Sequence, residues 1–247
     1  MDKKKIAISV KNLHISYRGI KKFSIRKTLF KGKKAKVEIF EALKGVSFEI
    51  EQGKIVGIIG KNGSGKSTML KAIAGIFSAD KGKIDLHGNT ISLLSIGVGF
   101  QPKLTGYENI FLSGMLLGFS EDEIKERVDE IIKFSELGKF IYKPVKSYSS
   151  GMYSKLAFSI TAILETEIIL IDEVFSVGDI KFKEKSYNKM KELINKDDRT
   201  VVIVSHSMAT LKELCDEVIW INDGVLMEIG EPEVVIPKYE EFMRNDR

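Results

Sequence analysis

Nine residues, Gly60-Lys61-Asn62-Gly63-Ser64-Gly65-Lys66-Ser67-Thr68, lie between the apolar run Ile55-Val56-Gly57-Ile58-Ile59 and a helix-like segment, Met69-Leu70-Lys71-Ala72-Ile73-Ala74. They fit G-x-x-x-x-G-K-[ST], the pattern of a phosphate-binding loop, and strand before with helix after is the context that this pattern requires. Gly60, Gly63 and Gly65 let the backbone turn with its N–H groups inward, and the helix behind adds the positive end of its dipole, so a polyphosphate meets an anion cradle. Lys66 then reaches the β and γ phosphates, Ser67 is placed to ligate a Mg²⁺ that bridges them, and Thr68 lies near enough to bond the phosphate chain. A glycine-rich turn with an incidental lysine is the bland alternative, and the flanking elements argue against it.

Strand signals surround this loop. Residues 6 to 17 alternate apolar and polar, and Ile39–Leu43, Val46–Ile50 and the run to Ile59 read as strands separated by turns. Ile84-Asp85-Leu86-His87 reads as a short strand closing a small antiparallel sheet, with His87 a surface residue. From about Thr105 to Leu164 the pattern turns helical: Ser120-Glu121-Asp122-Glu123 has capping-box form, with Ile124, Val128, Ile131 and Ile132 on one face behind it. This predicts a helical subdomain over about 105–164. Tyr148-Ser149-Ser150-Gly151-Met152 stands near its end, and Ser149 or Ser150 would cap the helix that follows, leaving N–H groups free for an anion.

Strand character returns at Ile168-Ile169-Leu170-Ile171, which ends in Asp172-Glu173. A buried parallel strand that delivers two acids to its C-terminal edge suits Asp172 to a metal and Glu173 to orienting and deprotonating a water. Two solvated acids at a strand end are the plain reading when they stand alone. A phosphate loop upstream outweighs it. Thr200–Val204 is a second buried strand ending at Ser205-His206, from which a histidine would reach a γ-phosphate, whereas an isolated one is usually structural. Residues 217 to 229 read as a hairpin turning at Asn222-Asp223-Gly224, and a terminal helix starts near Glu233.

Composition narrows the class. With 247 residues, 43% of them hydrophobic, the chain can bury a real core. Its one cysteine, Cys215, allows no internal disulfide, and three histidines leave no zinc cluster. That fits a reducing, cytoplasmic setting. No signal peptide is read at the N-terminus, and no window reaches the ~18 apolar residues of a membrane span. Of the net charge of +5, much sits in one place: Arg18 to Lys36 holds nine basic residues and no acidic one. A solvated insertion is the default for this segment of about 18–38. A nucleic-acid patch and an anionic membrane surface are the functional readings, and Phe23 and Phe30 beside the lysines favour the membrane.

Taken in order, these pieces resemble the ATP-binding subunit of an ABC transporter over essentially the whole chain. Residues 60 to 68 correspond to Walker A, Phe100-Gln101-Pro102 to the Q-loop, Tyr148–Met152 to the signature, Ile168–Glu173 to Walker B, Ser176–Asp179 to the D-loop and His206 to the switch histidine. Tyr17 corresponds to the ring that stacks on adenine, with Phe40 as the fallback. Ser150 and Met152 depart from the usual signature, and Gly178 is unusual in the D-loop. The same departures, the basic insertion and the phrase Leu104–Ile110 resemble the branch that exports cell-surface polymers, both O-antigen-type polysaccharide and teichoic acid. The run Phe134–Tyr142 is most like the teichoic acid exporters.

The resemblance implies one α/β P-loop domain over 1–247, with an antiparallel β-subdomain, the helical insertion and no C-terminal carbohydrate-binding domain. It implies ATP and Mg²⁺ as cofactors, with Ser67, Gln101 and Asp172 at the metal and Glu173, His206 and Lys66 in catalysis. Ser149, Ser150, Gly151, Met152 and Asp179 would act in trans on the nucleotide of a second copy. The other expected partner is a separately encoded membrane permease dimer carrying a lipid-linked polymer, which sets the chain at the cytoplasmic face of the membrane. Two other classes stand beside this reading: a soluble ATPase acting on nucleic acid or ribosomes, and a nucleotide-binding regulator without hydrolysis. Neither paired cassettes nor long coiled coils are present for the first, and the set Lys66, Asp172, Glu173 and His206 argues against the second.

Overall fold

The computed structural model describes residues 5–19, 38–94, 99–172, 179–194 and 199–245. The basic segment, the catalytic candidate Glu173 and the stretch Ser176–Gly178 lie outside the described residues. Strands β1 (Ile6–Gly19), β2 (Glu38–Glu51) and β4 (Lys81–Asp85) form an antiparallel sheet in the order β2-β1-β4. Its alternating residues bury one face: Leu13 and Ile15 on β1, Leu43, Val46, Phe48 and Ile50 on β2. The sequence suggested two strands between residues 39 and 50, but β2 is a single one. Gly45 is passed over in the pairing, Leu13 facing Val46 and His14 facing Lys44, so a bulge absorbs the turn signal without ending the strand.

The second sheet runs β5-β6-β7-β3-β8-β9, with β3 (Ile55–Ile59), β5 (Ile91–Leu94), β6 (Ile168–Asp172) and β7 (Thr200–Val204) in its parallel part. β8 (Glu217–Asn222) pairs parallel with β3 and antiparallel with β9 (Val225–Gly230). Both faces of this sheet are covered, which is why β7 is buried at every position and reads as an unbroken apolar run. Helix α1 (Lys66–Ile73) and the antiparallel sheet share a core with one face through Met69, Leu70 and Ile73. Four helices introduced below, together with Trp220 and Cys215, complete the other.

Between β5 and β6 the chain is helical. It forms α2 (Gly106–Leu116), α3 (Glu121–Ser135), two 3₁₀ turns at Gly138–Tyr142 and Val145–Ser147, and α4 (Ser150–Leu164). Thr105 and Ser120 each close a capping box with the glutamate three residues on, fixing where α2 and α3 begin. This part has a core of its own around Ile110, Ile124, Ile131, Ile141 and Leu156. Helix α4 is the shared wall: Leu156, Ile160 and Ile163 face that core, while Phe158 and Ala162 face the sheet. After β6 come α5 (Ile180–Ile194), α6 (Met208–Leu214) and α7 (Pro232–Asn245), of which α5 buries Phe182 completely.

Candidate functional site

Buried strand β3 delivers Gly60 to the C-terminal edge of the parallel sheet. A side chain there has no room: a Cβ on Gly60 would stand 2.1 Å from the carbonyl of Ile221 and 2.5 Å from Ser64 Oγ. Gly65 closes the loop at φ +108° and is the N-cap of α1, with no side chain capping the helix. The first N–H groups of α1 are therefore offered to a ligand, where the helix dipole favours an anion. Lys66 is buried, and its ammonium donates back onto the carbonyls of Gly60 and Lys61, each at 2.9 Å. Among the described residues Ser64 Oγ is buried without a hydrogen-bond partner. A cavity of about 300 Å³ opens over the loop, lined by Phe40, Asn62, Gly63, Lys66, Ser67 and Thr68.

Two aromatic rings flank this cavity. Tyr17 and Phe40 face each other across β1 and β2. Phe40 stands in the cavity wall with 58% of its surface exposed, while the Tyr17 hydroxyl shares a 2.9 Å hydrogen bond with Thr68 Oγ1 and its ring meets the edge of Phe77.

The strand order β6-β7-β3 sets three loop-bearing strand ends side by side: Asp172, then Ser205-His206, then Gly60. The Ser67 hydroxyl donates to Asp172 Oδ1 at 3.2 Å, so an alcohol and a carboxylate from distant parts of the chain converge at the start of α1. Hard oxygen donors beside a phosphate cradle fit Mg²⁺, which takes few protein ligands and completes its shell with phosphate and water. His206 is exposed just beyond β7. Gln101 is tied through its backbone to Asn109, its N–H donating to Oδ1 at 2.7 Å and its carbonyl accepting from Nδ2 at 3.2 Å. Asn109 itself is fully buried and also holds the carbonyls of Leu104 and Thr105, which makes it the organiser of this loop. The sequence had marked it only as a member of the phrase Leu104–Ile110, with no role of its own.

A second cavity, about 400 Å³, gathers Ser149, Gly151, Met152, Lys155 and Asp179 with Leu137 and Phe140. It shares no lining residue with the first. Ser149 is the N-cap of α4, its Oγ accepting from Met152 N–H at 3.2 Å. Asp179 takes the Lys155 ammonium on Oδ2 at 2.6 Å and the Phe182 N–H on Oδ1 at 3.0 Å. The Lys155 bond first and the backbone bond second hold its carboxyl below the usual carboxylate range. Lys155 was not singled out from the sequence. Nothing in its neighbours along the chain marks it.

A phosphate loop at the edge of a parallel sheet, a carboxylate converging on its serine, and a helical part presenting a capped turn define an ATP-binding-cassette type of P-loop domain. The chain belongs to the ABC transporter family, whose model matches residues 43–176. It is 44% identical over 203 residues to the O-antigen export system ATP-binding protein RfbB of Myxococcus xanthus, covering 82% of this chain and 46% of that protein. To the teichoic acids export ATP-binding protein TagH of Lactococcus lactis it is 47% identical over 205 residues, 83% of this chain and 44% of that protein. The chain thus spans just under half the length of either relative. Among solved structures, a dimeric ATP-binding cassette in a post-hydrolysis state with ADP and Pi superimposes with a TM-score of 0.67 at 25% identity, covering 91% of this chain and 98% of that one.

Proposed function

We propose that the chain is the ATP-hydrolysing subunit of an exporter that moves a lipid-linked cell-surface polymer, teichoic acid or O-antigen-type polysaccharide, across the cytoplasmic membrane. The observation that carries the reading is the meeting of Ser67 with Asp172 beneath the uncapped start of α1, a place where a metal and a triphosphate would be held together. The polymer class rests on similarity to export proteins of both kinds.

In this reading the loop N–H groups and Lys66 bind the phosphates, and Ser67, Asp172 and Gln101 hold the metal. Mg²⁺ would draw off charge that builds on the phosphates. Asn62 and Thr68 line the cavity beside the phosphate chain, and Phe40 or Tyr17 supplies the adenine platform. Glu173 takes the proton of the attacking water, and His206 bonds the γ-phosphate. As the family resemblance implies, Ser149, Ser150, Gly151, Met152 and Asp179 act on the nucleotide of a second copy, as two copies close head to tail, and the separation of the signature cavity from the phosphate-loop cavity is consistent with it. The dimeric cassette of the same fold supports that arrangement. Among the described residues no helix is long and apolar enough to cross a membrane. The proposal includes a separately encoded membrane permease, with the chain at its cytoplasmic face, on the strength of similarity to export proteins.

The test is capture of tagged Glu173→Gln protein from membranes with ATP and Mg²⁺. Retained ATP binding, lost turnover and a co-purifying polytopic membrane protein are expected. Unchanged hydrolysis would remove Glu173 from its role, and ribosomes or nucleic acid in place of the permease would reassign the function.

A further inference from the structure

The ends of α3, α4 and α5 are joined by an alternating line of charges. Lys155 of α4, its side chain only 14% exposed, lies 2.6 Å from Asp179 and 3.7 Å from Glu136. Lys185 of α5 meets the same Glu136 at 2.9 Å and also donates to the carbonyl of Phe134 at 3.0 Å. Beneath these charges Phe134, Phe158 and Phe182, one ring from each helix, pack with centroids 5.8 to 6.2 Å apart. Lys155 lies 5.0 Å from the Phe182 centroid and Lys185 lies 4.5 Å from that of Phe134.

An exposed ion pair of this kind contributes little to stability by itself. The Lys155 ammonium differs in being mostly withdrawn from water, set against a ring face and shared by two carboxylates, so its direction is fixed. Its two partners do separate work. Asp179 also binds the N–H of Phe182 in the first turn of α5, and Glu136 closes the end of α3. On α4, Lys155 stands one turn beyond Gly151, in the wall of the cavity that Ser149 and Met152 line.

We propose that Lys155 is a positioning residue that locks the Ser149–Met152 turn to the start of α5 through Asp179, so that the signature turn and Asp179 keep one relative placement. This rests on the ATPase reading above, since it is turnover that needs both elements in register. A small displacement of groups that meet a nucleotide lowers the rate far more than it lowers affinity for the half of the site left intact.

The test compares the full-length wild type with Lys155→Met and Lys155→Arg in steady-state ATPase, ATP affinity and thermal unfolding, with the permease present where turnover requires it. Lys155→Met is expected to lower kcat about tenfold or more while leaving ATP affinity within about twofold, and Lys155→Arg to restore most of the rate. Asp179→Asn should lose at least as much, since Asp179 also faces the second copy's nucleotide, and adding Lys155→Met to it should cost little more, because the link is already broken. A Lys155→Met enzyme with the wild-type kcat, additive losses in the double variant, or a loss explained wholly by a lower unfolding temperature would each overturn the proposal. A wild-type chain with no turnover would instead remove the ATPase reading and this role with it.

Discussion

The phosphate loop and the signature turn are both helix N-termini, yet they are built in opposite ways. The loop is made from one contiguous stretch that largely supports itself: Lys66 bonds Gly60 and Lys61, and Ser64 N–H bonds the carbonyl of Lys61. Its helix has no side-chain cap. The signature turn is capped by its own Ser149, and its bearing on the rest of the molecule comes from Glu136, Asp179, Phe134 and Phe182, residues scattered from α3 to α5. A group that must bind phosphate in every state gains from local rigidity. One that meets a second copy, as proposed for the signature turn, gains from being steered by distant parts of the fold.

Damage to the two regions should therefore spread differently. The largest effect is expected from Phe182→Ala, which empties a fully buried site shared by α4 and α5 and should cost about 3–5 kcal/mol in urea unfolding. The folded fraction should still bind ATP at the phosphate loop. Gly60→Ala should act the other way round. Its Cβ meets the Ile221 carbonyl, so a loss of about 1–3 kcal/mol should come with nucleotide affinity reduced at least about tenfold, read by equilibrium titration. Ser149→Ala should remove about 1 kcal/mol of helix capping and slow turnover while sparing nucleotide affinity.

Acid gives a gentler separation. Asp179 is held low chiefly by Lys155, and Glu136 is held low chiefly by its bond to Lys185. A depressed carboxylate contributes stability that is present above its unfolded value and lost as the pH falls through its folded one. The methyl resonance of Met152, in the same cavity wall, should therefore hold steady through the ordinary carboxylate range and shift only as the pH drops below it. Cys215 provides the smallest signal. Burial pushes its thiol up to about 12, so at pH 8 it should resist alkylation until the sheet that carries the phosphate loop unfolds. Rapid labelling of the native protein would contradict that.

The same contrast decides what could be read from the sequence. The phosphate loop is legible because its chemistry is contiguous, and the β8–β9 hairpin because Asp223-Gly224 marks its turn. Capping was legible at Ser120, and the identical pattern at Thr105-Glu108 gives the start of α2 just as sharply. Strand β5 was not read, because four residues without a distinctive period fall short of any template. Helix α5 was also missed, although Phe182, Ser186, Met190, Leu193 and Ile194 mark one buried face, because its many lysines and glutamates mask that period. The Lys155 link joins residues brought together only by tertiary packing. No local pattern encodes it.

The position of β3 between β7 and β8 also governs when the molecule can come into being on the ribosome. Strand β3 emerges early, but both of its neighbours are encoded late, after the long helical stretch has been made. At roughly 5–20 residues per second, the segment from Ile59 to Thr200 takes on the order of ten seconds to synthesise. Through that interval the apolar strand that bears the phosphate loop has no lateral partner, whereas β1 and β2 can already pair. A nascent chain would thus acquire its nucleotide site in a single late step, and the cell's protection of that exposed strand would set the yield of working protein.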